Sequence, residues 1–258
     1  PFVDGGYVYG VTAIKYGSST GGVVYKLNPS TYAYQVLEVL NIWEGRPQMN
    51  EFTKHDGKLF FFCSNTADVG SYYTQAGSAF NVDLASATFE HMFLMRQFPF
   101  GNPKSRQVYV DGSLYGWGQG GRFEDGIVYR YTPSTDNYEV LALPDVGGFD
   151  LQALSMEHFN GSIYFNLADF GTSAHRLMRY DIAGDSLEVL QNNSPYGMTD
   201  VEVFDNVMLA IRSDYSFSGR VTRIDLNDPV YNTTFLHNVG GANGSYMSYD
   251  IQFLGSTY

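Results

Sequence analysis

Three features of the sequence predict an all-β fold, a five-bladed β-propeller of four-stranded antiparallel blades. One strand-turn-strand pattern recurs five times, aromatic residues and glycine are abundant, and the two ends of the chain complement each other. The turn falls at Asp4-Gly5, Asp56-Gly57, Asp111-Gly112, Asn160-Gly161 and the weaker match Asp205-Asn206. Both central residues of a type I′ hairpin need positive φ, which Asx and Gly tolerate best. A spacing of roughly 50 residues leaves room for four strands in each repeat. Twenty-one Tyr, 19 Phe and 28 Gly against 9 Pro suit pleated sheets joined by tight turns.

The second strands read Tyr7-Val8-Tyr9-Gly10, Leu59-Phe60-Phe61-Phe62, Leu114-Tyr115-Gly116-Trp117, Ile163-Tyr164-Phe165-Asn166 and Met208-Leu209-Ala210-Ile211. They are apolar on both faces, as sheets stacked between neighbours require. The third strands share a cation or amide at Lys26, Asn81, Arg130, Arg179 and Arg223. The fourth strands are Tyr34-Gln35-Val36-Leu37, Phe89-Glu90-His91-Met92, Tyr138-Glu139-Val140-Leu141, Leu187-Glu188-Val189-Leu190 and Phe235-Leu236-His237. The first repeat has almost no first strand, whereas 249–258 carries a surplus one. Asp250 to Leu254 is therefore expected to complete the first blade and close the ring, since closure removes exposed edges. The blades then run over 1–40 with 249–258, 48–95, 103–143, 152–191 and 198–238, in one domain of 258 residues.

A net charge of −12 argues against nucleic acid, which needs clustered Lys and Arg, and against an anionic membrane surface. No apolar run is long enough to insert in a membrane as a helix. The single cysteine, Cys63, follows an apolar run and reads as a buried thiol, leaving neither an intrachain disulfide nor a thiolate metal site. The start at Pro1 without a leader suggests a processed or excised segment. Sequons at Asn160, Asn192, Asn232 and Asn243 are glycosylation candidates of a secreted chain.

Tyr7 to Thr12 followed by Gly21-Gly22-Val23-Val24-Tyr25-Lys26-Leu27-Asn28-Pro29 resembles the tandem repeats of secreted bacterial proteins of the Gloeobacter/Verrucomicrobia type, with kelch-like blades. Asp111 to Gly116 with Gly126 to Pro133 is similar. The resemblance implies an extracellular or cell-surface propeller and no particular catalytic residue. Phe159 to Tyr164 with Met178 to Asp181 also resembles olfactomedin domains, whose cysteine pair is missing here.

In such a ring, ligands usually bind where loops join each fourth strand to the next first strand. The residues expected at that mouth are Gln48, Asn50, Glu51, Lys104, Arg106, Gln152, Asp200, Tyr249 and Asp250, with Trp43, Phe98, Phe100, Phe149, Tyr196 and Tyr246 nearby. Aromatic faces stack on sugar rings while amides and carboxylates take hydroxyls, so this composition suits carbohydrate. The bland alternative is that these charges only pair among themselves. A glycosidase would need two facing carboxylates, for which Glu51, Asp200, Glu202 and Asp250 are available, but Asp4 is spent on the hairpin turn.

His55, His91, His158, His175 and His237 lack ligand spacing, and Glu124-Asp125, Asp225 and Asp228 read as turn formers. Gly118-Gln119-Gly120-Gly121 opens no helix that could cradle phosphate. The expected function is an extracellular non-catalytic binding or scaffold module for carbohydrate or protein, without a cofactor. Two alternatives stand beside it: a polysaccharide-active enzyme, and a self-assembling fibre subunit using the loops 15–21 and 68–77.

Overall fold

The pairing of each repeat starts at its hairpin turn. Asp56 and Gly57 (φ 43° and 72°), Asp111 and Gly112 (45° and 85°), Asn160 and Gly161 (48° and 75°) and Asp205 and Asn206 (45° and 62°) all adopt the left-handed conformation that a type I′ turn demands. In the first repeat the turn sits one residue later than the sequence suggests. Gly5 and Gly6 carry the positive φ, and Asp4 ends a strand opposite Tyr7. Two glycines fill the turn without a Cβ penalty, so Asp4 is free of it and its carboxylate takes the Lys54 ammonium of the next repeat.

The computed structural model describes residues 2–13, 20–41, 46–47, 52–64, 78–94, 102–103, 105, 107–119, 126–142, 151–169, 174–194, 197–213, 219–228 and 231–239. They form five antiparallel sheets. Blade 1 holds β1 (Phe2–Asp4), β2 (Tyr7–Ala13), β3 (Thr20–Leu27) and β4 (Tyr34–Asn41). Blade 2 holds β5 (Arg46–Pro47), β6 (Thr53–His55), β7 (Lys58–Ser64), β8 (Ser78–Asp83) and β9 (Phe89–Leu94). Blade 3 holds β10 (Asn102–Pro103), β11 (Val108–Val110), β12 (Ser113–Gln119), β13 (Ile127–Thr132) and β14 (Asn137–Ala142). Blade 4 holds β15 (Leu151–Phe159), β16 (Ser162–Asp169), β17 (Ala174–Asp181) and β18 (Ser186–Ser194), and blade 5 holds β19 (Gly197–Phe204), β20 (Val207–Ser213), β21 (Gly219–Asp225) and β22 (Thr233–Val239). Strands pair in chain order, with β5 and β6 both on β7, and β10 and β11 both on β12. Each sheet is thus four strands deep, and in blades 2 and 3 the first strand comes in two pieces.

Two compact units divide the chain, Pro1–Asp145 with blades 1 to 3 and Val146–Tyr258 with blades 4 and 5. Within the first unit, the alternation of β7 splits its side chains between two cores. Leu59, Phe61 and Cys63 join Tyr9, Val11, Val24 and Leu40 of blade 1. Phe60 and Phe62 join Leu114, Ile127 and Tyr129 of blade 3. A strand buried on both faces must be apolar at every position, which is why β7 reads as a continuous apolar run. In the second unit Tyr164 and Leu177 of blade 4 pack on Val201, Met208, Ala210 and Ile224 of blade 5.

Cys63 is fully buried in β7. Its thiol is therefore expected to resist a thiol reagent in native buffer and to react at once in denaturant. Rapid labelling of the folded protein would contradict this burial. Asp250 to Leu254, to which the sequence assigns closure, lie outside the described residues, as do 15–19 and 68–77 of the two expected rim loops, while Thr20 and Gly21, expected in the first of them, already belong to β3.

Candidate functional site

One irregularity recurs on the first strands. In blade 2 Pro47 pairs with Cys63 and Thr53 with Phe60, so the first strand has more residues than β7 between these two pairs. In blade 3 Pro103 pairs with Gly118 and Val108 with Tyr115, again with more residues on the first strand than on β12. Blade 4 has a register shift between Ala153 and Met156, and blade 5 has one between Met198 and Asp200. Bulges and breaks release backbone groups from the ladder and re-aim side chains, which is why they gather beside binding sites.

Most residues nominated from the sequence fall at these breaks. Gln48, Asn50 and Glu51 belong to the interval between β5 and β6, and Lys104 and Arg106 to that between β10 and β11; all five lie outside the described residues. So do Trp43, Tyr249 and Asp250. Gln152 pairs with Ala168 just before the shift in blade 4, and Asp200 pairs with Ile211 just after the one in blade 5. In blade 3 the gap in the ladder is filled from within. Ser105 is buried and its Oγ accepts the Trp117 N–H at 2.8 Å. Gln107 Nε2 donates to the Ser105 carbonyl at 2.6 Å, while the Gln107 carbonyl accepts from Thr53 Oγ1 of blade 2 at 2.6 Å.

Of the sequons, Asn160 stands exposed in its hairpin turn. Asn232 is exposed too, but its Nδ2 donates to Asp228 Oδ2 at 2.9 Å, a bond that a glycan would have to displace. Asn192 lies in β18 with its side chain undescribed, and Asn243 lies outside the described residues.

The first unit also holds a cleft that the sequence did not nominate. It lies between blades 2 and 3, at the end of the sheets carrying the hairpin turns, and has a volume of about 550 Å³. The other end of β7 carries the Pro47 break, so the cleft and the expected mouth are at opposite ends of the blade. His55 Nε2 lies 2.8 Å from Asp56 Oδ2, and its ring stacks on Tyr109 at 3.5 Å. Glu90 Oε2 accepts from Asn81 Nδ2 at 2.8 Å and from Lys58 Nζ at 3.3 Å. Tyr131 donates its hydroxyl to Asp136 Oδ1 at 3.0 Å. Burial first, and the Asp136 carboxylate second, push the Tyr131 phenol up, so it stays a neutral donor. Burial likewise raises Tyr109, aided by Asp56 and Asp111.

Glu90 is held below its ordinary range, first by the Asn81 amide and then by Lys58. A depressed folded pKa gives stability that is complete above the unfolded value and lost as pH falls through the folded one. The stability gap between the parent and Glu90→Gln is therefore expected to be widest at neutral pH and to close below 4.5. Thermal melts taken down to about pH 3 check this, and a gap unchanged across that window would remove the donors from the account. Among the described residues no group of three or more His, Cys, Asp or Glu could hold a metal ion. No helix among them is long and apolar enough to cross a membrane.

No family model and no curated protein matches the chain. Solved structures do. TolB from Acinetobacter baumannii is 12% identical with a TM-score of 0.54, over 89% of this chain and 51% of that one. Oligogalacturonate lyase from Vibrio parahaemolyticus is 10% identical with a TM-score of 0.56, over 90% and 64%. The extracellular domain of a one-component system from B. thetaiotaomicron is 14% identical with a TM-score of 0.57, over 86% and 25%. The fold is a β-propeller. At these identities the likeness carries the fold alone, and this chain spans between a quarter and two thirds of the length of the proteins it resembles.

Proposed function

We propose that the chain is an extracellular, non-catalytic binding module that recognises carbohydrate or protein through the polar residues at its broken first strands. The observation that carries this reading is the recurrence of the break itself. In the first unit it lies between Pro47 and Thr53 and between Pro103 and Val108, the intervals to which the sequence assigns Gln48, Asn50, Glu51, Lys104 and Arg106, and in the second it lies beside Gln152 and Asp200. A single irregularity would be an accident of one strand; in four repeats the first strand carries excess residues at the same level of its second strand, and bulged residues of this kind are re-aimed out of the ladder. The extracellular placement is favoured by the composition, the sequons and the fold shared with an extracellular domain. The likeness to oligogalacturonate lyases makes pectic oligosaccharides a sensible first class of probe.

The test is a glycan array with the isolated chain, followed by a reducing-sugar release assay on every hit. Arg106→Ala and Trp43→Ala are each expected to weaken binding about tenfold or more while leaving the melting temperature unchanged, since stacking and charged hydrogen bonds each contribute about 1–3 kcal/mol. Sugar release from a bound glycan would instead establish the enzyme. A destabilised Arg106→Ala in a parent that binds nothing would leave these charges structural.

A further inference from the structure

The cleft between blades 2 and 3 sits beside the one glutamate of its position that faces no cation across the third and fourth strands; blade 1 pairs Lys26 with Gln35 and blade 5 pairs Arg223 with Thr234. At one position the third strand faces a fourth-strand residue directly: Arg130 faces Glu139 in blade 3, and Arg179 faces Glu188 in blade 4. Both arginines bond their glutamates, Arg179 Nη2 at 2.6 Å from Glu188 Oε2. Blade 2 keeps the glutamate, Glu90, but places Asn81 where the arginine would stand. An amide is shorter than a guanidinium and carries no charge. Glu90 is left with that amide and with a lysine reaching over from β7, and the cleft opens beside it.

The lining suits the guanidinium that Asn81 leaves out of this blade. Three carboxylates, Asp56, Glu90 and Asp136, share it with one ammonium, that of Lys58. Tyr109, one face of it covered by His55, and the buried Tyr131 form part of the wall, and the charge of Glu90 is felt at the Tyr131 phenol across the two blades. A cleft that presents several carboxylates beside tyrosine edges favours a planar, delocalised and weakly hydrated cation, able to bond more than one carboxylate at once, above a compact ammonium. We propose that this cleft binds an arginine side chain of a partner peptide, whose guanidinium takes the place on Glu90 that Arg130 and Arg179 take on Glu139 and Glu188. The volume of about 550 Å³ exceeds one side chain and leaves room for its flanking residues. A free amino acid is the poorer ligand, because its own carboxylate meets a net-negative lining. This inference goes beyond the binding-module reading, since it concerns the opposite end of the blades and commits to one ligand chemistry.

The test is calorimetric or NMR titration of the intact chain with the tripeptide acetyl-Gly-Arg-Gly-amide. Its citrulline counterpart, identical in shape but uncharged, and glucosamine serve as comparison ligands. The arginine peptide is expected to bind saturably and about tenfold more tightly than the citrulline peptide, the value of one charge-assisted hydrogen bond. Glu90→Gln should lose that preference, Lys58→Gln should tighten binding severalfold by removing the competing ammonium, and Asn81→Arg should abolish it by supplying the guanidinium internally. Glu90 and Lys58 are exposed enough for their variants to fold, so they decide the matter even if Asn81→Arg does not. Equal affinity for the two peptides, no saturable binding, or an unchanged preference in Glu90→Gln would each overturn the proposal. Tighter binding of glucosamine than of the arginine peptide would overturn it too, assigning the cleft to an amino sugar.

Discussion

Trp117→Ala is expected to destabilise the protein by about 3–5 kcal/mol, the cost of losing a large aromatic side chain from a site that cannot collapse. Trp117 is fully buried in β12, between Gly116 and Gly118 and opposite Val128 of β13. Its surroundings are fitted to it. Gly126, at φ 84°, lies so close to the indole that any Cβ there would overlap the six-membered ring. The backbone N–H of Trp117 is the one that Ser105 Oγ satisfies inside the break of the first strand, so the residue anchors both the core and the break. Urea unfolding followed by tyrosine fluorescence reads the loss, with Trp117→Phe as an intermediate case. A loss below about 1 kcal/mol would mean that the site relaxes around the cavity, contrary to the packing of Gly126.

The part of the fold legible in the sequence is the part set locally. Turn chemistry identified four of the five hairpins, because Asp56-Gly57, Asp111-Gly112 and Asn160-Gly161, and more weakly Asp205-Asn206, tolerate the positive φ that the turn needs. It failed by one residue where Asp4-Gly5-Gly6 offers two such pairs, and the glycine pair won. The doubly apolar second strands foretold sheets covered on both faces, and β7 divides its side chains between two cores as that requires.

The breaks in the first strands were hidden, because a missing ladder bond is a property of two strands. Ser105 gives no sign in the sequence that its hydroxyl replaces a backbone partner. The cleft was hidden for a different reason. In the sequence Asn81 stands with Lys26, Arg130, Arg179 and Arg223 as a variant of one theme, whereas its lack of charge opposite Glu90 is the informative feature. Comparing repeats for the odd member would have found Glu90 and Asn81. It would not have found the stack of His55 on Tyr109, which depends on how adjacent sheets pack.

The same comparison of repeats explains the glycine that follows tyrosine in blades 1 and 3. Gly10 lies directly opposite Tyr25, and Gly116 directly opposite Tyr129. In each case a Cβ built on the glycine would overlap the phenol ring, so the ring lies across the space that a side chain would occupy. Tyr129 cannot give way, since it is fully buried, stacked on Tyr138 at 5.2 Å, and within 3.5 Å of the Gln107 amide at its hydroxyl.

The sign of Gly116→Ala therefore decides between two physical accounts. Were the glycine there only by drift, alanine would stabilise the strand by roughly 0.5–1 kcal/mol through reduced backbone entropy. Overlap with an immovable ring predicts a loss of about 1–3 kcal/mol instead. In a double-mutant cycle, Tyr129→Val removes the ring, so the cost of Gly116→Ala should vanish in that background and the coupling should reach about 1–3 kcal/mol. Denaturant unfolding of the four proteins measures it. An alanine that stabilises the parent, or one that costs as much without the tyrosine ring as with it, would show that the ring does not fix the glycine.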